Sequence, residues 1–250
     1  MISVTGTGGR PTAVVAGTDE VLGAVPAYER LLTGVERRRA DAFLTPAPRA
    51  DFIAAHVLVR LCAARLLDRP ADSLVLEQRC PGCGSGEHGR PGLAGLPQVY
   101  VSLSHTTGVV AAVAGHEPVG VDVERRTLPD SVRGAAGRVL SAAERAAMRE
   151  HADPDGYFLR QWVRKECFVK LGRTTLGGLA AVDLSGLPDG SGGPSRRVGP
   201  YRHGDLYVLD HTDARRDAVA AVVSTARPRI GAAVPHTAPE HPTGLEPRST

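Results

Sequence analysis

Three carboxylates and a lysine stand at spacings that suit cation and phosphate chemistry. In Val119-Gly120-Val121-Asp122-Val123-Glu124, strand alternation puts Asp122 and Glu124 on one face and Val121 and Val123 on the other. Same-face neighbours on a strand lie roughly 6.5–7 Å apart, so two such carboxylates can converge on one hard cation. An oxygen-only donor set favours Mg2+, which keeps waters and takes substrate phosphate as further ligands. In Trp162-Val163-Arg164-Lys165-Glu166-Cys167-Phe168-Val169-Lys170, helical spacing lines up Trp162, Glu166 and Lys170 on one stripe. Glu166 offers a third oxygen ligand, and Lys170, one turn on, can offset phosphate charge. The plain structural alternatives are a solvated acidic sheet edge and an ordinary helical ion pair.

The lysines themselves are unusual. Of 30 basic residues only Lys165 and Lys170 are lysine, the rest arginine. A compact ammonium that can lose its proton does what a guanidinium cannot, so both lysines count as candidate site residues. Chance placement is the competing explanation. Upstream, Ser104-His105 closes an apolar strand pattern. Adjacent residues are not a nucleophile–base pair by default, because triad members usually come from separated segments. A hydroxyl and an imidazole at a strand end can instead hold phosphate, and a turn histidine is the alternative.

The elements that must position these groups follow from periodicity. Residues 1–20 are Gly/Thr-rich and expected to be flexible. A helix is expected over about 26–43, carrying Arg37-Arg38-Arg39, and Thr45-Pro46-Ala47-Pro48 should end it. Phe52, Ile53, Val57, Leu61 and Leu66 give a clearer helix over about 51–67. A Gly/Pro/Cys-rich loop spans 79–98, and three strands around 99–103, 109–114 and 119–124 should form an antiparallel meander. Ser141-Ala142-Ala143-Glu144 is a capping box opening a short helix. A stronger helix runs over about 156–171, followed by strand candidates at 181–184, 206–210 and 218–224. Residues 186–200 read as a loop and 228–250, with repeated prolines, as a disordered tail. Helices followed by three strands, twice over, predict an α+β fold of two similar lobes, 21–117 and 118–227.

Gly120-Val121-Asp122-Val123-Glu124 followed by Trp162-x-x-Lys165-Glu166-x-x-x-Lys170 resembles the 4′-phosphopantetheinyl transferases. The likeness is greatest to the longer, pseudo-dimeric type that serves peptide and polyketide synthases. Ser104-His105 and His88-Gly89-Arg90-Pro91 also match in order and spacing, so the resemblance covers residues 37–180. It implies a pseudo-twofold pair of lobes, each a small antiparallel sheet packed on helices, with coenzyme A in the cleft between them. It implies Mg2+ held by Asp122, Glu124, Glu166 and the pyrophosphate of coenzyme A. Glu166 would deprotonate the serine of an acyl or peptidyl carrier protein, directly or through water. Lys170 would stabilise or protonate the departing 3′,5′-ADP. Arg39, Arg49, Arg90, Ser104, His105 and Lys165 would serve the bound coenzyme A.

Composition narrows the classes. With 250 residues and 42% hydrophobic content, the chain can bury a sizeable core. A net charge of +3 is too balanced for general nucleic-acid binding. No basic n-region with an apolar run opens the chain, and no apolar stretch approaches a membrane span, so a cytoplasmic protein is expected; two lobes that build one cleft between them point to a monomer. Cys80-Pro81-Gly82-Cys83 has only His88 nearby and lacks the second ligand pair of a structural zinc site. Gly82-x-Gly84-x-Gly86 follows no strand and opens no helix, and Gly6-x-Gly8-Gly9 lacks the Lys-Ser/Thr of a P-loop. Two rivals remain: a Mg2+-dependent hydrolase of the pyrophosphate in a nucleotide or coenzyme A, using the same carboxylates without a carrier, and a non-enzymatic binding module.

Overall fold

The computed structural model describes residues 9–79, 82, 84–86, 89–127, 134–189 and 197–232. The chain is α+β and builds two lobes, each a four-stranded sheet carrying one long helix.

The first lobe begins with β1 (Thr12–Gly17), α1 (Thr18–Ala24) and a 3-10 turn at Tyr28–Leu31. Next come α2 (Gly34–Asp41) and α3 (Pro46–Leu67). β2 (Leu76–Arg79) and β3 (Arg90–Leu93) form a separate two-stranded ribbon. β4 (Tyr100–Thr106) and β5 (Val109–Gly115) then form a hairpin. The second lobe holds β6 (Val119–Arg125), α4 (Ala136–Val139), α5 (Ala142–Glu150) and α6 (Pro154–Leu171). It closes with β7 (Arg197–His203), β8 (Leu206–Asp213) and β9 (Ala218–Ser224), and β10 (Arg229–Ile230) follows.

The first sheet has the order β10-β1-β5-β4 and the second β6-β9-β8-β7. All pairings are antiparallel except β10 on β1. After traversing the second lobe, the chain therefore returns to the first.

Local sequence accounts for the two long helices. α3 opens with Pro46 at its start, where the missing N–H costs nothing. It is buried along most of its length because it lies across the first sheet with Phe52, Ile53, Val57 and Leu58 in the core. α6 starts at Pro154 under Asp153, whose Oδ1 accepts from Gly156 N at 3.0 Å, and stops at Gly172 in the left-handed conformation. The opposite faces of the two sheets meet in a third core of small and β-branched residues, among them Val15, Ala111, Val113, Val121, Val123, Ala220 and Val222. The layers thus run helix, sheet, sheet, helix.

Several expectations are corrected. Residues 12–24, expected to be flexible up to 20, form β1 and the start of the first lobe. The single helix over 26–43 is a 3-10 turn plus α2, because Thr33 and Glu36 form a capping box that restarts the helix. Pro46 begins α3 rather than breaking the chain. The meander stops after β5, for β6 crosses to the second sheet and pairs with β9. Residues 181–184 are not a strand: a 3-10 turn ends at Ala181, and Leu184 N donates to Glu144 Oε1 at 2.9 Å. β3, β7 and β10 arise in segments read as loop or tail, and β2 arises in a segment for which no element was expected. Cys80, Cys83 and His88, with residues 233–250 of the expected tail, lie outside the described residues.

Candidate active site

The site forms where the two sheet edges meet. β4 and β6 are each the edge strand of their sheet and run side by side. They are joined through side chains: Val121 N donates to Ser102 Oγ at 3.1 Å, and Ser104 Oγ donates to Asp122 Oδ1 at 2.7 Å. Ser102, Ser104 and Thr106 alternate on the β4 face that looks toward β6, and Asp122 and Glu124 answer them.

α6 closes the site from the other side, and one glycine sets its distance. A Cβ on Gly120 would stand 2.6 Å from the Cys167 carbonyl oxygen, in the backbone of α6. Neither strand nor helix backbone can yield locally, so Gly120→Ala is expected to lift α6 off β6. The cost should be about 1–3 kcal/mol in urea unfolding, with a loss of activity as Glu166 and Lys170 move away from the strand.

On the inner face of α6, Lys170 Nζ donates to Asp122 Oδ1 at 2.8 Å, to the Val121 carbonyl at 2.8 Å and to the Leu103 carbonyl at 3.3 Å. Asp122 is buried, and its Oδ2 has no hydrogen-bond partner. Burial pushes the Glu124 carboxyl up to about 7, helped by the Asp122 charge and then by Glu166, against the Thr106 hydroxyl and Lys170. Burial also raises Glu166, again with Asp122 adding to it and Lys170 opposing. Three carboxylates therefore share one recess with one ammonium, a surplus of negative charge that fits a divalent cation. They are not drawn together as a finished coordination shell: among the described residues, no group of three or more His, Cys, Asp or Glu converges as a metal site.

These shifts give a pH test. Glu124 binds its proton more tightly folded, near pH 7, than at its ordinary 4.5. The benefit is present below the unfolded value and is lost as pH rises through the folded one. In chelator, wild-type Tm should therefore fall relative to Glu124→Gln between about pH 5 and pH 8. Parallel Tm curves for the two proteins in differential scanning fluorimetry would contradict this.

The remaining candidates scatter around the cleft. Beside the carboxylates lies a cavity of about 740 Å³ between the lobes, lined by Arg90, Leu93, Tyr100, Leu103, Val169 and Lys170 among others. Arg90 lays its guanidinium against Gly172, at the end of α6. Arg39 sits 5.0 Å above the Phe52 ring and donates to Gln78 Oε1. His105 lies 6.4 Å from Phe52 in edge contact. Desolvation lowers its pKa, with Lys170 and Arg39 adding to the effect and Asp51 opposing it. Arg49, at the surface, pairs with Asp41 at 3.2 Å and is not brought to the carboxylates.

Lys165 is corrected outright. It is fully buried and donates to Glu144 Oε2 at 2.5 Å, the Val139 carbonyl at 2.7 Å and the Leu179 carbonyl at 3.0 Å. All three donors are used, so Lys165 is a structural hub rather than a coenzyme A ligand. Thr106 and Ser102 were missed, though strand alternation from Ser104 places both on its face.

The family model of the 4′-phosphopantetheinyl transferase superfamily matches residues 118–223, which hold β6, α6 and β8–β9. A 4′-phosphopantetheinyl transferase of Bacillus subtilis is 29% identical over 89 residues, 35% of this chain and 39% of the relative. The B. subtilis 4′-phosphopantetheinyl transferase ffp is 34% identical over 86 residues, 34% of this chain and 38% of its own. The 4′-phosphopantetheinyl transferase Sfp of B. subtilis strain 168 is 30% identical over 86 residues, with the same shares. The matched segment spans less than two fifths of each relative's length. The carboxylates of β6 and α6 lie inside the matched segment, so the part of the chain that carries them is similar to the 4′-phosphopantetheinyl transferase superfamily.

Proposed function

We propose that this protein transfers the 4′-phosphopantetheine arm of coenzyme A to a serine of an apo acyl or peptidyl carrier protein, releasing 3′,5′-ADP. The observation that carries the reading is the recess at the β4–β6 seam, where Asp122 Oδ2 is buried and unpartnered beside Lys170 and the Asp122 charge raises both Glu124 and Glu166.

Asp122, Glu124 and Glu166 would hold Mg2+, which supplies charge neutralisation and a template for the pyrophosphate. Glu166, its carboxyl raised by burial, would take the proton from the carrier serine. The serine oxygen forms a bond to the β-phosphorus of coenzyme A as the bond to the 3′,5′-ADP oxygen breaks. Lys170 offsets the charge that gathers on that leaving group. Arg90, Arg39 and Arg49 would serve phosphate groups by their planar forks, and Ser104 and His105 at the end of β4 would add to them.

The lobe boundary is read at 117/118, with β1 and β10 added to the first lobe. The protein is read as a cytoplasmic monomer whose two lobes build one cleft. Among the described residues, no helix is long and apolar enough to cross a membrane.

The test is the intact mass of an apo carrier protein incubated with this protein, coenzyme A and Mg2+. A gain of one phosphopantetheine arm, abolished by chelator, is expected. Release of 3′,5′-ADP with no gain in carrier mass would instead identify a hydrolase of coenzyme A.

A further inference from the structure

Lys170 ties the two lobes together with one ammonium. Its Nζ donates to Asp122 Oδ1 and the Val121 carbonyl in β6, both at 2.8 Å, and to the Leu103 carbonyl in β4 at 3.3 Å. An ammonium has three N–H donors and here meets three acceptors, so it is saturated. Those acceptors are a carboxylate and two carbonyls, the oxygen types that a hard divalent cation also takes. The other oxygen of the same carboxylate is buried and unpartnered.

We propose that Lys170 and a divalent cation compete for Asp122, so that cation binding expels the ammonium and converts a tie between the lobes into a free positive charge at the cleft wall. The inference rests on the cation reading given above and adds to it an order of events. Lys170 cannot stay on Asp122 and also serve a phosphate in the cavity it lines. Whatever draws the ammonium away raises the affinity of Asp122 for the cation, and by linkage the cation raises the affinity of the cleft for an anion by the same factor. Cation and phosphate ligand therefore bind with positive coupling through this side chain.

The composition of the chain makes the event readable. Only two lysines exist, and the other, Lys165, is fully buried. Trace labelling of the full chain with acetic anhydride, read by peptide mass spectrometry, reports Lys170 against an inert internal reference. The Lys170 side chain is 26% exposed, so reagent can reach it. Saturating Mn2+, its binding followed by electron paramagnetic resonance, is expected to raise Lys170 labelling several-fold and to leave Lys165 unlabelled. Lys170→Met is expected to bind Mn2+ roughly tenfold more tightly than wild type without coenzyme A. Simple removal of charge would produce the second result but not the first. Labelling of Lys170 that stays constant or slows while Mn2+ binds would overturn the competition, as would equal Mn2+ affinity in the two proteins. Failure of both proteins to bind Mn2+ at all would overturn the cation reading itself, and this inference with it.

Discussion

Glu166→Gln is expected to slow arm transfer by about 10²–10⁴-fold while leaving the fold intact or slightly firmer. The substitution keeps the volume and the polar end of the side chain, so α6 has no reason to move. It removes the base and one anionic oxygen of the recess. In the folded protein the charged form of Glu166 is held against burial and against the Asp122 charge. A neutral amide relieves that repulsion, so Tm in chelator should equal or exceed that of wild type. The check is the initial rate of carrier mass gain beside a thermal melt of the same preparation. A rate within about fivefold of wild type would remove Glu166 from the chemistry.

The second large effect falls on stability and belongs to the other lysine. Lys165→Met should cost about 3–5 kcal/mol, because it strands a buried carboxylate. Glu144 is fully buried and accepts from Ser141 N at 2.7 Å and Leu184 N at 2.9 Å, so it cannot turn away to solvent. The Lys165 ammonium joins α6 to the end of α4 through Val139 and to the 3-10 turn Leu176–Ala181 through Leu179. Its loss should loosen that whole side of the second lobe. Urea denaturation followed by circular dichroism measures this directly. Lys170→Met should change stability less, since the Lys170 side chain is 26% exposed and Asp122 keeps the Ser104 hydroxyl as a donor. Equal destabilisation by the two substitutions would refute the division of labour.

The contrast between the lysines was available in the sequence and was not read. Five residues of an α-helix turn through about 500°, so Lys165 and Lys170 point some 140° apart. Glu166 and Lys170, four apart, share a face, and the stripe is where the structure brings them. Asp122 and Glu124 were legible because alternation is local. So were α3 and the hairpin β4–β5, whose apolar periods are long or flanked by clear turns. What failed was non-local. β6 follows β5 after a short turn, and nothing in Val119–Arg125 says that it pairs with β9, a hundred residues on. β1 is a four-residue apolar core set in a Gly/Thr-rich stretch, so composition hid it. β7 carries Gly199-Pro200 and a register irregularity, features that argue against a strand until a partner such as β8 fixes it. Arg39 and Arg90 were found as charges, but their positions depend on Phe52 and on the end of α6, which the chain meets only when folded.

The core shared by the two sheets has a kinetic consequence. It is built from alanine and valine, with Leu209 and Ile230 the longest side chains in it. Such residues have few rotamers with which to absorb sliding. A hinge needs a seam that can repack, and this one would lose contacts with every degree of rotation. The cleft is therefore a fixed berth rather than a jaw. A nucleotide should arrive by simple encounter, with an observed association rate that climbs linearly with its concentration and does not level off at a closure step.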